Sequence, residues 1–262
     1  MFTQSTSYKQ KPRKMPDSVV QGSRILGQTG GRPAQMYWND KSSGIFPSES
    51  PLEKFIGQLA ALDPRVRTVA PQPFTVDVAT GYIAYSPDEL KLHRSTRERS
   101  EARLRDYTPD FCFDLIDGRR IIVEVKDPRY LCTQAYWDKV ERARRLLRSN
   151  GYAFQVVSFE YAPSSPLIHN ADLLNALSVN YKKVISLAQI DAIEETVGDT
   201  ESTLGHVAQL AEISLREAPA LVLHGVVSAD IARGHLGAYT PVRVAYGELD
   251  HFSILDLEGE AK

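Results

Sequence analysis

The sequence is short of the residues that staple, coordinate or anchor a protein. It has two cysteines in 262 residues, Cys112 inside an apolar run and Cys132 further on. Thiols so placed make neither a disulfide framework nor a zinc-binding spacing, and we expect a reduced, cytoplasmic (bacterial) setting. No apolar run approaches the roughly 18 residues of a membrane span, and no signal-peptide core is visible, so no membrane partner is expected. The G-x-x-x-x-G-K-[ST] loop is missing, so any nucleotide-driven step must come from a partner. Histidine is sparse (six residues), and His93 and His169 are too isolated for a catalytic role. Charge of one dominant sign is lacking too, the formal net charge being −2. The length accommodates one large or two small domains with a real core.

What charge there is lies unevenly, and one stretch carries most of the chemistry: Tyr107 to Lys126, Y-T-P-D-F-C-F-D-L-I-D-G-R-R-I-I-V-E-V-K. Phe111 to Ile116 is aromatic and β-branched, Asp117-Gly118 supplies a turn, and Ile121 to Val125 is a second strand-like run. Strand alternation places Ile122, Glu124 and Lys126 on one face, with Val123 and Val125 on the other. Asp110 stands at the mouth of the first strand, near the end of the second. Two carboxylates and an ammonium therefore converge at one end of a hairpin. An ordinary hairpin with charged ends reads much the same. The Pro-Asp at a strand start, and an otherwise apolar strand ending in both charges, set this one apart.

Such a trio suits phosphodiester hydrolysis. The substrate is anionic and its transition state more so, and clustered carboxylates repel one another unless a hard cation sits between them. Mg²⁺ takes oxygen ligands, keeps several waters and needs only one or two protein carboxylates. It generates the nucleophile and neutralises developing charge, while a neighbouring lysine stabilises charge or positions water.

The P-D…E-V-K pattern resembles the PD-(D/E)XK nuclease superfamily. The longer T-P-D-F…V-E-V-K form is similar to the TnsA endonuclease subunit of heteromeric bacterial transposases. Upstream, G-I-F-P-S-E-S-P-L-E-K-F-I-G-Q-L-A-A-L-D-P-R-V-R-T-V-A-P-Q-P (44–73) resembles that family's N-terminal helix, which carries a further active-site glutamate. On the family pattern this is Glu53, with Glu49 the alternative. The resemblance covers residues 30–160 well and the C-terminal portion loosely. It implies a restriction-endonuclease-like α/β fold, a mixed sheet flanked by helices. It implies Asp110 and Glu124 as Mg²⁺ ligands (Mn²⁺ as a surrogate), joined by the Val125 carbonyl, with Lys126 acting on water and Glu53 completing the site. It also implies double-stranded DNA at transposon ends as substrate, a DDE transposase (TnsB-like) and an AAA+ regulator (TnsC-like) as partners. Some members have glutamine where this chain has Glu124, the better cation ligand.

Elsewhere the chain divides into three. Residues 1–43 form a polar arm carrying Lys9, Lys11, Arg13, Lys14, Arg24, Arg32 and Lys41 against Asp17 and Asp40, suited to solvent, to a DNA backbone or to a partner. Met36, Tyr37 and Trp38 read as a short strand or hook.

Residues 44–162 are the nuclease domain. A helix from Ser50, with Leu52, Phe55, Ile56, Leu59 and Leu62 apolar, closes at Asp63-Pro64. Val66–Val69 and Phe74–Val78 are strand-like. The segment 91–106 includes Arg94, Arg97, Arg99, Arg103 and Arg105, candidates for phosphate contact that positions DNA without reading it. A helix over 134–149 presents Lys139, Arg142, Arg145 and Arg148, and Phe154–Phe159 is a strand.

Past a linker at 162–166, residues 167–262 suggest a small winged-helix-like domain. Helices are expected over 171–187 and 202–216, a strand or buried helix over 220–227, a short helix capped by Ser228, and a strand over 240–246. From Gln189 onward thirteen acidic residues face four basic ones (Arg216, Arg233, Arg243, Lys262), which favours a protein partner over DNA. The expected protein is a metal-dependent DNA endonuclease cutting the non-transferred strand at transposon ends. Two alternatives stand beside it: a standalone nuclease of defence or repair, and a non-catalytic DNA- or protein-binding adaptor.

Overall fold

The computed structural model describes residues 35–37, 39–42, 46–95, 105–180 and 185–258. The chain is α/β, with a mixed four-stranded sheet between helices. A short hairpin, β1 (Gln35–Tyr37) with β2 (Phe46–Ser48), leads into α1 (Pro51–Leu62). Ser50 caps α1, accepting from Glu53 N, and Pro51 fills the first position, where a missing N–H costs nothing. The sheet follows in the order β3 (Val66–Pro71), β7 (Phe111–Leu115), β8 (Arg120–Lys126), β9 (Ala153–Ser158). Its first two pairings are antiparallel and β8–β9 is parallel. That crossover is made by α3 (Gln134–Ser149), which runs over the residues its apolar spacing predicts. A smaller antiparallel sheet joins β4 (Thr75–Asp77) to β5 (Ile83–Ala84) and to β6 (Asp106–Tyr107), with α2 (Pro87–Ser95) alongside.

Strand alternation sorts the hairpin's side chains onto two cores. Phe111, Phe113, Leu115, Ile121, Val123 and Val125 pack with α1, while Cys112 and Ile122 face α3 and the small sheet. Glu124 points to the α3 side, as its parity with Ile122 predicts.

The C-terminal third is built from α4 (Pro166–Asn180), α5 (Leu187–Val197), β10 (Ser202–Thr203), α6 (Leu204–Leu210), α7 (Pro219–Leu223), β11 (Val227–Ser228) and β12 (Pro241–Val244). The strands pair antiparallel in the order β10-β12-β11. Several boundaries differ from expectation. The helix expected at 171–187 begins at Pro166, since proline opens a helix well. It is described as far as Asn180, and it does not run on to 187, because Ile185 and Ser186 are non-helical and Leu187 starts α5 behind a Ser186 capping box. The helix expected to reach 216 stops at Leu210, and Glu212 turns to φ 53°. Ser228 caps nothing: it pairs with Arg243 in β11–β12. The core does not stop at the 162–166 segment. α4 lies between α1 and the C-terminal helices, with Asp172 accepting from Lys54 Nζ (2.6 Å) and Gln58 Nε2 (2.7 Å) and Asn170 Nδ2 donating to the carbonyls of Ile231 and Gly234 (2.8 and 2.7 Å).

Of the residues expected in the hook, Tyr37 is buried against α1, while Trp38 lies outside the described residues. A methyl group on Gly57 would sit 1.8 Å from Tyr37 Oη. Gly57→Ala, which normally favours a helix by roughly 0.5–1 kcal/mol, should here destabilise by about 1–3 kcal/mol through overpacking. Urea denaturation of the variant checks this. Lys9, Lys11, Arg13, Lys14, Arg24 and Arg32 of the basic arm also lie outside the described residues. Lys41, at its end, is turned inward and donates to the Asp63 carbonyl (2.5 Å).

Candidate active site

The site forms at the open end of the β7–β8 hairpin. The turn at Asp117-Gly118 requires glycine, since Gly118 has φ 88°. It sets the register Phe111 opposite Val123, which brings Asp110 level with Glu124. Asp110 is held twice: its Oδ2 accepts from Val125 N (2.7 Å), and its carbonyl accepts from Gln72 N (2.9 Å), where β3 ends with Gln72 at φ 41°. Its Oδ1 has no protein partner among the described residues. The Lys126 carbonyl accepts from Phe159 N of the parallel neighbour (3.0 Å), so the backbone of Val125, one residue earlier, faces the Asp110 side. That is where a carbonyl ligand is expected.

Glu124 is 3% exposed, and both of its carboxylate oxygens have partners. Its Oε2 accepts from Tyr107 Oη (2.6 Å); its Oε1 accepts from Tyr136 Oη and pairs with Lys126 Nζ (2.8 Å). Lys126 Nζ also lies 4.7 Å from the centre of the Tyr136 ring. Glu53, in the first turn of α1, bends back on its own cap, accepting from Glu49 N (2.9 Å) and Ser50 Oγ (2.8 Å). Glu49, the alternative, accepts from Gln72 Nε2 (3.1 Å). Glu49 therefore meets the residue whose N–H holds the Asp110 carbonyl, and Glu53 holds the Glu49 backbone.

Electrostatics tie these groups into one unit. Burial, reinforced by the charges of Glu124 and Glu53, pushes Asp110 well above the usual carboxylate range, against the Val125 N–H and Lys126. Burial also raises Glu53, with Glu49 adding repulsion while Lys126 and the hydrogen bonds from Glu49 N and Ser50 oppose it. Burial would lower Lys126, but Glu124 and Asp110 carry it above its ordinary value. The cluster sets the carboxyls of Asp110, Glu124 and Glu53 against one ammonium, a mutual repulsion that a hard divalent cation relieves. Among the described residues no group of three or more His, Cys, Asp or Glu side chains is placed to hold a metal ion. Magnesium needs none, and Asp110, Glu124 and the Val125 carbonyl supply oxygen donors of the right kind. The residues fit that ion.

Of the residues expected to touch DNA, Arg97, Arg99 and Arg103 lie outside the described residues. Arg94 pairs with Asp106 (2.7 Å) and Arg105 with Asp77 (3.3 Å), so both brace the small sheet. Arg142 is exposed on α3 and Lys139 half-exposed, 6.0 Å from the Tyr136 ring. Sequence reasoning missed Tyr107, Tyr136 and Gln72 as site residues. The first two come from β6 and α3, and no spacing in the chain signals that both phenols end on one carboxylate.

Comparison of the chain with protein-family models and with curated proteins found no match.

Proposed function

We propose that this chain is a Mg²⁺-dependent DNA endonuclease, the TnsA-like subunit of a heteromeric transposase, cutting the non-transferred strand at transposon ends and releasing a 5′ terminus. The observation that carries the reading is the union of Asp110, Glu124, Lys126 and Glu53 at one sheet end, with the carboxyls set against one ammonium. Asp110, Glu124 and the Val125 carbonyl would hold the cation, which when bound supplies an activated water and neutralises charge on the scissile phosphate. Lys126 orients the water or the phosphate oxygen. Glu53 holds the open side of the site, and Arg142 with Lys139 steadies the DNA backbone.

A mixed sheet flanked by helices is compatible with the restriction-endonuclease-like arrangement this reading requires. The run α5, β10, α6, α7, β11, β12, with β12 central among its strands, fits a winged-helix unit. Its acidic surface suits a protein partner, the AAA+ regulator, better than DNA.

A strand-resolved assay tests the reading, using an end-labelled transposon-end duplex, the transposase subunit and Mg²⁺. The wild-type protein should nick the non-transferred strand, and the Asp110→Ala protein should leave it intact. Identical products from both would falsify the assignment.

A further inference from the structure

Glu124 is the most fully occupied acid of the site. A carboxylate oxygen offers two lone pairs. On Oε1 both are taken, by Tyr136 Oη and Lys126 Nζ, whereas on Oε2 one is taken, by Tyr107 Oη. The two tyrosines are not equivalent. Tyr107 is 3% exposed within the core beneath α3, and it cannot leave without opening that core. Tyr136 is half-exposed in the first turn of α3, beside a loop whose Tyr130 and Leu131 are 69% and 98% exposed. Its ring lies at the edge of that core beside Trp137, so moving it opens less of the interior than moving Tyr107 would.

We propose that Tyr136 is a positioning residue that latches the site: its phenol occupies Glu124 Oε1, and a divalent cation must displace it to use that oxygen. This rests on the metal-dependent reading above and adds to it a control on cation entry. Tyr107 is the fixed partner that keeps the carboxylate aimed. Because Lys126 shares Oε1 with the phenol, a cation that takes this oxygen also frees the ammonium to reach a phosphate. One side-chain movement thus readies both the ligand and the group that meets the substrate. With the latch closed, Glu124 and Lys126 satisfy each other.

Calorimetric titration with Mn²⁺ of the full-length wild type, Tyr136→Phe, Tyr107→Phe and Asp110→Ala tests the latch. Mn²⁺ accepts the same oxygen ligands as Mg²⁺. Tyr136→Phe should bind about tenfold more tightly than wild type, the scale set by losing a hydrogen bond to a charged group. Tyr107→Phe should gain nothing, and Asp110→Ala should lose binding. If wild type binds in an Asp110-dependent way and Tyr136→Phe binds no more tightly, the latch is overturned and the metal reading stands. If neither wild type nor Tyr136→Phe binds, both fall.

A second measurement needs no variant at that position. In wild-type protein carrying ¹³C-tyrosine, Mg²⁺ should move the Tyr136 ring signals toward those of a water-exposed tyrosine. Signals unmoved at saturating Mg²⁺ overturn the latch.

Discussion

Asp110→Asn should lower the rate of strand cleavage about a thousandfold while raising the melting temperature of the metal-free protein. The loss follows from removing a ligand to a charge that supplies several kcal/mol of transition-state stabilisation, at about 1.4 kcal/mol per tenfold in rate. The gain follows from the native pocket. The amide oxygen of the substituted side chain can still accept from Val125 N, so the backbone contact survives, but the repulsion with Glu124 and Glu53 is gone. The sign can be checked against pH. The Asp110 and Glu53 carboxyls have native pKa values above their unfolded values, so between the two the native state holds protons that the unfolded chain has released. The stability of the metal-free wild type should therefore fall as pH rises from about 4 through the raised values, and Asp110→Asn should flatten that fall. A gain of about 2–4 °C in melting temperature at pH 7 corresponds to roughly 1 kcal/mol for a chain of this class. A variant both inactive and less stable would indicate a structural role for the carboxylate.

Asp77→Ala should be the most damaging substitution away from the site, at about 3–5 kcal/mol, the cost of removing one partner from a buried ion pair. Asp77 is 2% exposed on the central strand of the small sheet. It receives His93 Nε2 (2.8 Å), Arg105 (3.3 Å) and Ala79 N (3.0 Å). Burial alone would raise its pKa, but these partners outweigh burial and hold it far below the usual range. A depressed native pKa stabilises above the unfolded value near 4 and loses that contribution as pH falls further. Wild-type stability should therefore drop below about pH 4, and Asp77→Ala should remove part of the drop. Guanidinium denaturation at pH 7 and pH 3 reads both effects. The consequence reaches the site, because β4 pairs with β6 and Val76 lies opposite Tyr107. Without Asp77 the phenol that aims Glu124 loses its mooring.

The hairpin was legible because period and punctuation agree over its length. Aromatic and β-branched runs, an Asp-Gly turn and the parity of Glu124 with Ile122 each state the same geometry. α1 and α3 were legible for the same reason, from apolar stripes at helical spacing and, for α1, the serines before Pro51; the Thr133 cap of α3 came only with the structure. The C-terminal third resisted because its elements are short. α6 spans seven residues and β10 two, so each is set by neighbours and not by its own pattern. In the site, Asp110 and Glu124 were readable because they sit within or beside one hairpin, whereas Glu53, in α1, came only from the family resemblance. The tyrosines were not, since Tyr107 and Tyr136 resemble ordinary core aromatics until the fold sets their hydroxyls on the same carboxylate. The internal use of Arg94, Arg105 and Lys41 was equally hidden. A basic residue shows its charge in the sequence but not its partner.

α4 is a shared wall, not a hinge. On one side Asp172 receives Lys54 and Gln58 of α1, and Asn175 Nδ2 donates to the Gln58 carbonyl (3.1 Å). On the other, Asn170 grips the backbone at Ile231, Gly234 and Leu236. Cutting the chain near residue 165 would strip α1 of this support and expose its apolar flank, so the sheet and its acids do not make a detachable module. The same construction gives a mechanical route inward. The C-terminal unit is bonded through α4 to α1, whose first turn carries Glu53, so a displacement of that unit would be passed on to the edge of the acidic cluster.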